Sequence, residues 1–88
     1  MLYVFGGFRN GFKSNQLMAI DVNNRSVNVL SSECNDETKN NVRPSQRVGC
    51  RMVIVEEKMK LYLFGGLNKE NQTLNDMWLY DINAETWE

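Results

Sequence analysis

The nine residues "LYVFGGFRN" (2–10) return as "LYLFGGLNK" (61–69). A second pair of blocks follows in the same order: "NQLMAIDVNNRSV" (15–27) and "NDMWLYDINAETW" (75–87). The glycines recur at a spacing of 59 residues and the aspartates Asp21 and Asp81 at 60. Two matched blocks at nearly one offset make an internal repeat, and a repeat restricts the fold more than any other feature here. A unit of this size cannot bury its apolar face alone, so copies must stack on one another.

Each unit reads as strands. "RMVIV" (51–55), "LYLF" (61–64) and "MWLYDI" (77–82) are short, β-branched or aromatic, and bounded by turn residues. The first copy offers "LYVF" (2–5), "LMAIDV" (17–22) and "VNVL" (27–30). Most runs are apolar at nearly every position, which implies that both sheet faces are covered. "VNVL" is interrupted by Asn28, as expected of an outer strand with a partly wet face. Short connections (23–26, 56–60, 83–86) alternate with long ones (8–14, 31–46, 67–74). In an up-and-down antiparallel sheet this places all three long connections at one end. Small sheets repeated along a chain and covering one another define a radial stack of four-stranded blades, a β-propeller. A β-sandwich explains the repetition less well.

Bulk composition removes several functions. Ten basic residues against eleven acidic leave a net charge of −1, without the basic excess of a nucleic-acid module. The chain has no histidine, hence no imidazole acid/base or ligand. Cys34 and Cys50 are too few for a disulfide framework and are expected as free thiols. No apolar run approaches the roughly 20 residues of a membrane span, and no signal peptide is visible. A soluble, cytoplasmic protein is expected. "GGFRNG" and "GGLNKE" fit neither phosphate-loop pattern. Glu33, Asp36 and Glu37 lack calcium-loop spacing and are expected to lie in a solvated, mobile loop. No catalytic residue, cofactor or metal is implied.

The second copy resembles a kelch repeat. That pattern has a buried strand ending in two glycines, then a strand ending in Tyr-Asp, with a Trp six residues after the Tyr. The matching residues are Gly65, Gly66, Tyr80, Asp81 and Trp87, preceded by "PSQRVGC" with Arg47 and Gly49. The first copy keeps Gly6, Gly7 and Asp21 but has Ile20 in place of the Tyr and Val27 in place of the Trp. The resemblance implies an all-β chain of two incomplete, four-stranded antiparallel kelch-type blades. Residues 1–30 hold strands two to four of one blade, 31–43 a polar inter-blade loop, and 44–88 strands one to three of the next with the start of strand four. Such a chain cannot close a ring and is expected to be a fragment needing further blades. The glycines are expected to allow close backbone approach, and Trp87 and Tyr80 to fill the gap between blades with their NH or OH satisfied at an edge. Arg47 and Asp81 are expected to join a charged network.

Function is then expected at the long-loop end, because loops on a rigid scaffold tend to carry it. Phe8, Arg9, Phe12 and Lys13 combine aromatic and cationic side chains as interface hot spots do, and Asn68, Lys69 and Glu70 join them. The expected activity is non-enzymatic: a protein–protein interaction module, a scaffold of cytoskeletal or cell-polarity type, binding a protein or peptide, with no nucleic acid or membrane partner. Kelch proteins also supply two alternatives. One is the substrate-recognition part of a ubiquitin-ligase adaptor. The other is a piece of a metal-dependent enzyme resembling galactose oxidase or the specifier proteins.

Overall fold

The structure, a computed structural model, describes all of residues 1–88. It is all-β, with ten strands and two single-turn 3₁₀ segments. The first blade is an antiparallel sheet of β1 (Leu2–Phe5), β4 (Leu17–Asp21) and β5 (Ser26–Ser31), in the order β1-β4-β5. Between β1 and β4 stands a small hairpin of β2 (Phe8–Arg9) and β3 (Phe12–Lys13). The second blade contains β6 (Arg47–Val48), β7 (Arg51–Val55), β8 (Lys60–Asn68), β9 (Thr73–Asp81) and β10 (Thr86–Trp87). Here β9 pairs β8 and β10, while both β6 and β7 pair β8. The two sheets are incomplete blades: three strands in the first, and in the second β8 and β9 flanked by the two-residue β10 on one side and by β6 and β7, both paired to β8, on the other.

Register shows how the blades stack. In the second blade the cross-strand rows Met52–Leu63–Trp78 and Ile54–Leu61–Tyr80–Trp87 lie on one face. In the first, Phe5 and Leu17 pair on the inward face. These rows meet in one core of Phe5, Leu17, Leu61, Leu63 and Tyr80, with Tyr3, Leu30, Met52, Ile54, Trp78 and Trp87 packed around it. Leu61 and Leu63 occupy the repeat positions of Leu2 and Val4, whereas the first blade turns Tyr3 and Phe5 inward. The copies therefore present opposite faces to each other, as stacked members of a head-to-tail series must.

The aromatic residues bridge the two sheets as expected. The Tyr80 hydroxyl donates to the Leu30 carbonyl (2.9 Å) and the Trp87 indole N–H to Ser31 Oγ (3.1 Å). The Trp87 ring sits edge-on to Phe5 at 5.6 Å and tilted against Tyr80 at 4.9 Å. Burial pushes the Tyr80 phenol above its ordinary range, with the charge of Glu85 adding to the shift, so it remains a neutral donor.

One expectation needs correction. The apolar runs are not covered on both faces, because two sheets enclose only one layer. Leu2, Val27 and Val29 on one outer side, and Val53, Phe64 and Met77 on the other, are exposed, Val53 at 62% and Met77 at 65%. Exposed sheet faces of this kind promote association. The double substitution Val53→Lys and Met77→Lys is expected to reduce anilinonaphthalene sulfonate binding and self-association of the 88-residue chain. Its effect on stability should stay within about 0.5–1 kcal/mol, as for other exposed positions. Dye fluorescence and sedimentation velocity check this; unchanged association would show that another surface drives it.

Candidate functional site

The long connections do meet at one end, but they are more ordered than a loop reading implies. "FRNGFKS" forms the β2–β3 hairpin, in which Asn10 (φ 53°) and Gly11 (φ 83°) make the tight turn. The Asn-Gly pair is a recognised hairpin signal, so this element was readable. The third connection is shorter than expected, since β8 and β9 run past the glycines and pair again at Gly66–Leu74 and Leu67–Thr73. Only residues 69–72 remain between the two strands. Asn68 organises this turn, its Oδ1 accepting from the Glu70 and Gln72 backbone N–H groups (both 3.0 Å).

The segment after β5 is largely solvent-exposed, as expected, but hydrogen bonds tie it down as a strap. Buried Asn15 pins it: Nδ2 donates to the carbonyls of Cys34 (2.7 Å) and Pro44 (3.1 Å), and Oδ1 accepts the Cys34 N–H (2.9 Å). Arg43 Nη2 donates to the carbonyls of Asn15 and Ser32. Glu33 accepts from Ser14 Oγ, from Gln46 Nε2 (2.7 Å) and from the Asn15 N–H (3.2 Å). Burial raises the Glu33 pKa, yet these hydrogen bonds, with the charge of Arg9, outweigh it and hold the carboxyl below its ordinary range. Asp36 caps the 3₁₀ turn Glu37–Lys39 through the Thr38 N–H. Glu37 pairs with Lys69 of the second blade. Glu33, Asp36 and Glu37 are solvent-exposed, as expected; their partners were not legible, because no local spacing reveals contacts that tertiary folding supplies.

These elements surround a depression of about 850 Å³ lined by Arg9, Asn10, Phe12, Lys13, Ser14, Glu33, Asn35, Gln46 and Lys69. Of the candidate residues, it brings together Arg9, Phe12, Lys13 and Lys69. Phe12 is 76% exposed. Arg9 Nη1 donates to Gln16 Oε1 (3.0 Å). Lys13 Nζ crosses to the second blade and donates to the Asn68 carbonyl (2.7 Å) and Asn71 Oδ1 (2.5 Å). Phe8 is also exposed but lies outside this lining, and Glu70 lines a smaller polar depression beside it with Asn68 and Lys69.

The motif residues hold the scaffold behind this surface. The Arg47 side chain is 1% exposed and does not reach Asp81. Its charged partner is Asp76, bound through Nη1 (2.7 Å) and Nη2 (3.0 Å), with the Gly65 carbonyl and Ser45 taking its other donors. Asp81 instead closes the β9–β10 turn by accepting from the Asn83 and Ala84 N–H groups (both 3.0 Å). Asp21 does the same for Asn23 (3.0 Å) in the first copy. A carboxylate next to a two-strand turn finds unpaired backbone donors at hand, which explains the correction. Gly6 and Gly66 lie where backbones come close, Gly6 against Arg47 and Gly66 against Val48 and Cys50. Gly49 has a positive φ of 71° and Gly7 donates its N–H to the Arg47 carbonyl (3.1 Å).

Cys34 and Cys50 are free thiols, and burial pushes the Cys50 thiol up despite the nearby Arg47 charge. No three His, Cys, Asp or Glu side chains gather where they could hold a metal ion. No helix is long and apolar enough to cross a membrane.

Antiparallel sheets stacked head to tail, each carrying a positive-φ diglycine and sharing an aromatic bridge, define a repeat-built propeller segment. The KLHDC2/KLHL20/DRC7 Kelch-repeats domain matches residues 1–88, and the chain belongs to the kelch-repeat family. It is also 30% identical, over 89 aligned residues, to a protein of Arabidopsis thaliana whose name describes an F-box/kelch-repeat protein. The match covers 99% of this chain and 20% of that relative, so the chain spans about a fifth of the curated relative's length. Kelch repeats generally mediate protein–protein interaction.

Proposed function

We propose that this chain is a non-enzymatic, scaffold-type protein-binding segment, and that its partner is a protein or peptide seated at the long-loop end. One observation carries the reading. Connections from both blades converge on a depression where exposed Phe12 stands beside Arg9, Lys13 and Lys69. Aromatic and arginine side chains are the residue types that dominate binding energy in interfaces. The hairpin presenting two of them is set by its tight turn and tied across the blades by Lys13, so ordering it on binding costs little. Further blades, supplied beyond these residues, would cover the exposed outer faces.

Peptide display on the immobilised chain tests this. Enriched binders are expected to lose at least about tenfold in affinity, roughly 1.4 kcal/mol, with Phe12→Ala or Arg9→Ala. They should keep their affinity with Glu57→Ala, in the short connection after β7. Equal binding to all three variants would remove the loop end as the contact surface. The Arabidopsis relative's name pairs an F-box with kelch repeats. That pairing favours a second reading, in which the same surface selects substrates for a ubiquitin-ligase adaptor. A binder whose ubiquitylation is unaffected by Phe12→Ala in the full-length protein would rule it out.

A further inference from the structure

We infer that the depression at the long-loop end selects an acidic peptide: the side-chain carboxylate of an Asp or Glu meets Arg9, and a neighbouring apolar side chain rests on Phe12. This rests on reading the loop end as a peptide-binding surface, and it adds the chemistry of the peptide. Three cations, Arg9, Lys13 and Lys69, line the depression against one carboxylate, Glu33. Glu33 lies within reach of Arg9's field, but its oxygens are already taken by Ser14, Gln46 and the Asn15 N–H. Lys69 is neutralised by Glu37. Lys13 donates only to neutral oxygens, those of Asn68 and Asn71.

Arg9 is the most telling of the three. Its side-chain partner, Gln16, is a neutral amide. The equivalent position in the second repeat is Asp76, where a carboxylate completes a two-pronged pair with a buried arginine. The chain forms two ion pairs, Arg47–Asp76 and Lys69–Glu37, and neither involves Arg9 or Lys13. Both cations are thus held in place by neutral acceptors with their charge unanswered by a bonded anion. An arginine in that state has donors free for a carboxylate, which it binds in paired geometry. Phe12 lies directly across the hairpin from Arg9 in register, so cationic and apolar contacts fall on one face of the ribbon. A partner matching both needs an acidic and an apolar side chain close together. Since the charges lie at a solvent-exposed rim, the electrostatic part of binding is salt-sensitive and contributes to selectivity.

Fluorescence anisotropy on the 88-residue chain tests this with acetylated, amidated octapeptides, which carry no terminal charge. They differ at one residue beside a leucine: Glu, Asp, Gln or Lys. The Glu and Asp peptides are expected to bind about tenfold tighter than the Gln peptide, with the gap closing as salt is raised to about 300 mM. Arg9→Glu should reverse the order and favour the Lys peptide. Arg9→Gln and Lys13→Met, which keep most of each side chain's length, should flatten it. Circular dichroism of each variant confirms the fold. Equal binding of Glu and Gln peptides overturns the acidic selection and leaves peptide binding standing. So does failure of the whole set while display still yields binders. An empty display on the wild-type chain overturns both.

Discussion

Asp76→Ala is expected to cost about 3 kcal/mol and to leave much of the chain unfolded at 25 °C. The reason is Arg47, whose side chain is 1% exposed and whose charge Asp76 answers with both oxygens. Breaking a buried pair from one side strands the other charge, at a cost of about 3–5 kcal/mol. The lower end applies because Asp76 is 39% exposed and water can enter where the carboxylate was. The substitution also removes the acceptor of the Trp78 indole N–H (2.8 Å). A small domain has few kcal/mol in reserve. Urea midpoints by circular dichroism measure the loss, and a change below about 0.5 kcal/mol, the range of unremarkable surface substitutions, would refute the account.

The same pair predicts a pH dependence. The Arg47 hydrogen bonds hold the Asp76 carboxyl below its ordinary range, against an opposing effect of burial and with help from Trp78. A carboxyl depressed in the folded state adds stability above its unfolded pKa of about 4. That contribution is lost as pH falls through the lower folded value. Asp76→Asn lacks this titration, so its stability should fall less steeply than wild type's below about pH 4. Parallel acid limbs for the two proteins would show that Asp76 is not the group responsible.

The Arg47 pair also marks where sequence reasoning stops. Arg47 was recognisable as a motif residue, and so was its need for an anion. Which anion was not: Asp81 belongs to the repeat pattern and was the natural choice, yet it is the last residue of β9, whereas Asp76 lies inside the strand. Partner choice depends on strand direction and on the side from which β6 approaches β8. Strands fared better because their signal is local. Each apolar run read as a strand falls on one, although Val22 and Ile82 lie just past the ends of β4 and β9. The glycine pair was legible through the repeat, and the Tyr80–Trp87 bridge through the resemblance to the kelch pattern, since the first copy has Ile20 and Val27 there. Asn15 was not, since one buried amide holding two carbonyls of a distant strap has no periodicity to betray it. The β2–β3 hairpin was missed for another reason: its two-residue strands are too short for a pattern, although Asn10-Gly11 announces the turn.

Gly6→Ala is expected to destabilise the chain by about 3–4 kcal/mol, and Gly11→Ala by about 1–2 kcal/mol, although both glycines have positive φ (69° and 83°). The shared part is the cost of a left-handed conformation for a residue with a Cβ, about 1–2 kcal/mol. The difference is space. A Cβ at Gly11 meets nothing within 4 Å, whereas at Gly6 it falls 2.5 Å from the Arg47 carbonyl oxygen and 3.1 Å from that of Ser14. Neither obstacle is a side chain that could swing away. Both oxygens accept hydrogen bonds that join the blades, from Gly7 (3.1 Å) and Arg47 (3.0 Å) respectively. Relieving the clash means parting these strands, and each bond lost costs about 1 kcal/mol. Equal shifts in urea midpoint for the two substitutions would mean that conformation alone explains the conserved spacing of strand and glycine within this chain. A larger shift at Gly6 would mean that the first glycine of "FGGF" is there because a neighbouring blade's backbone lies against it.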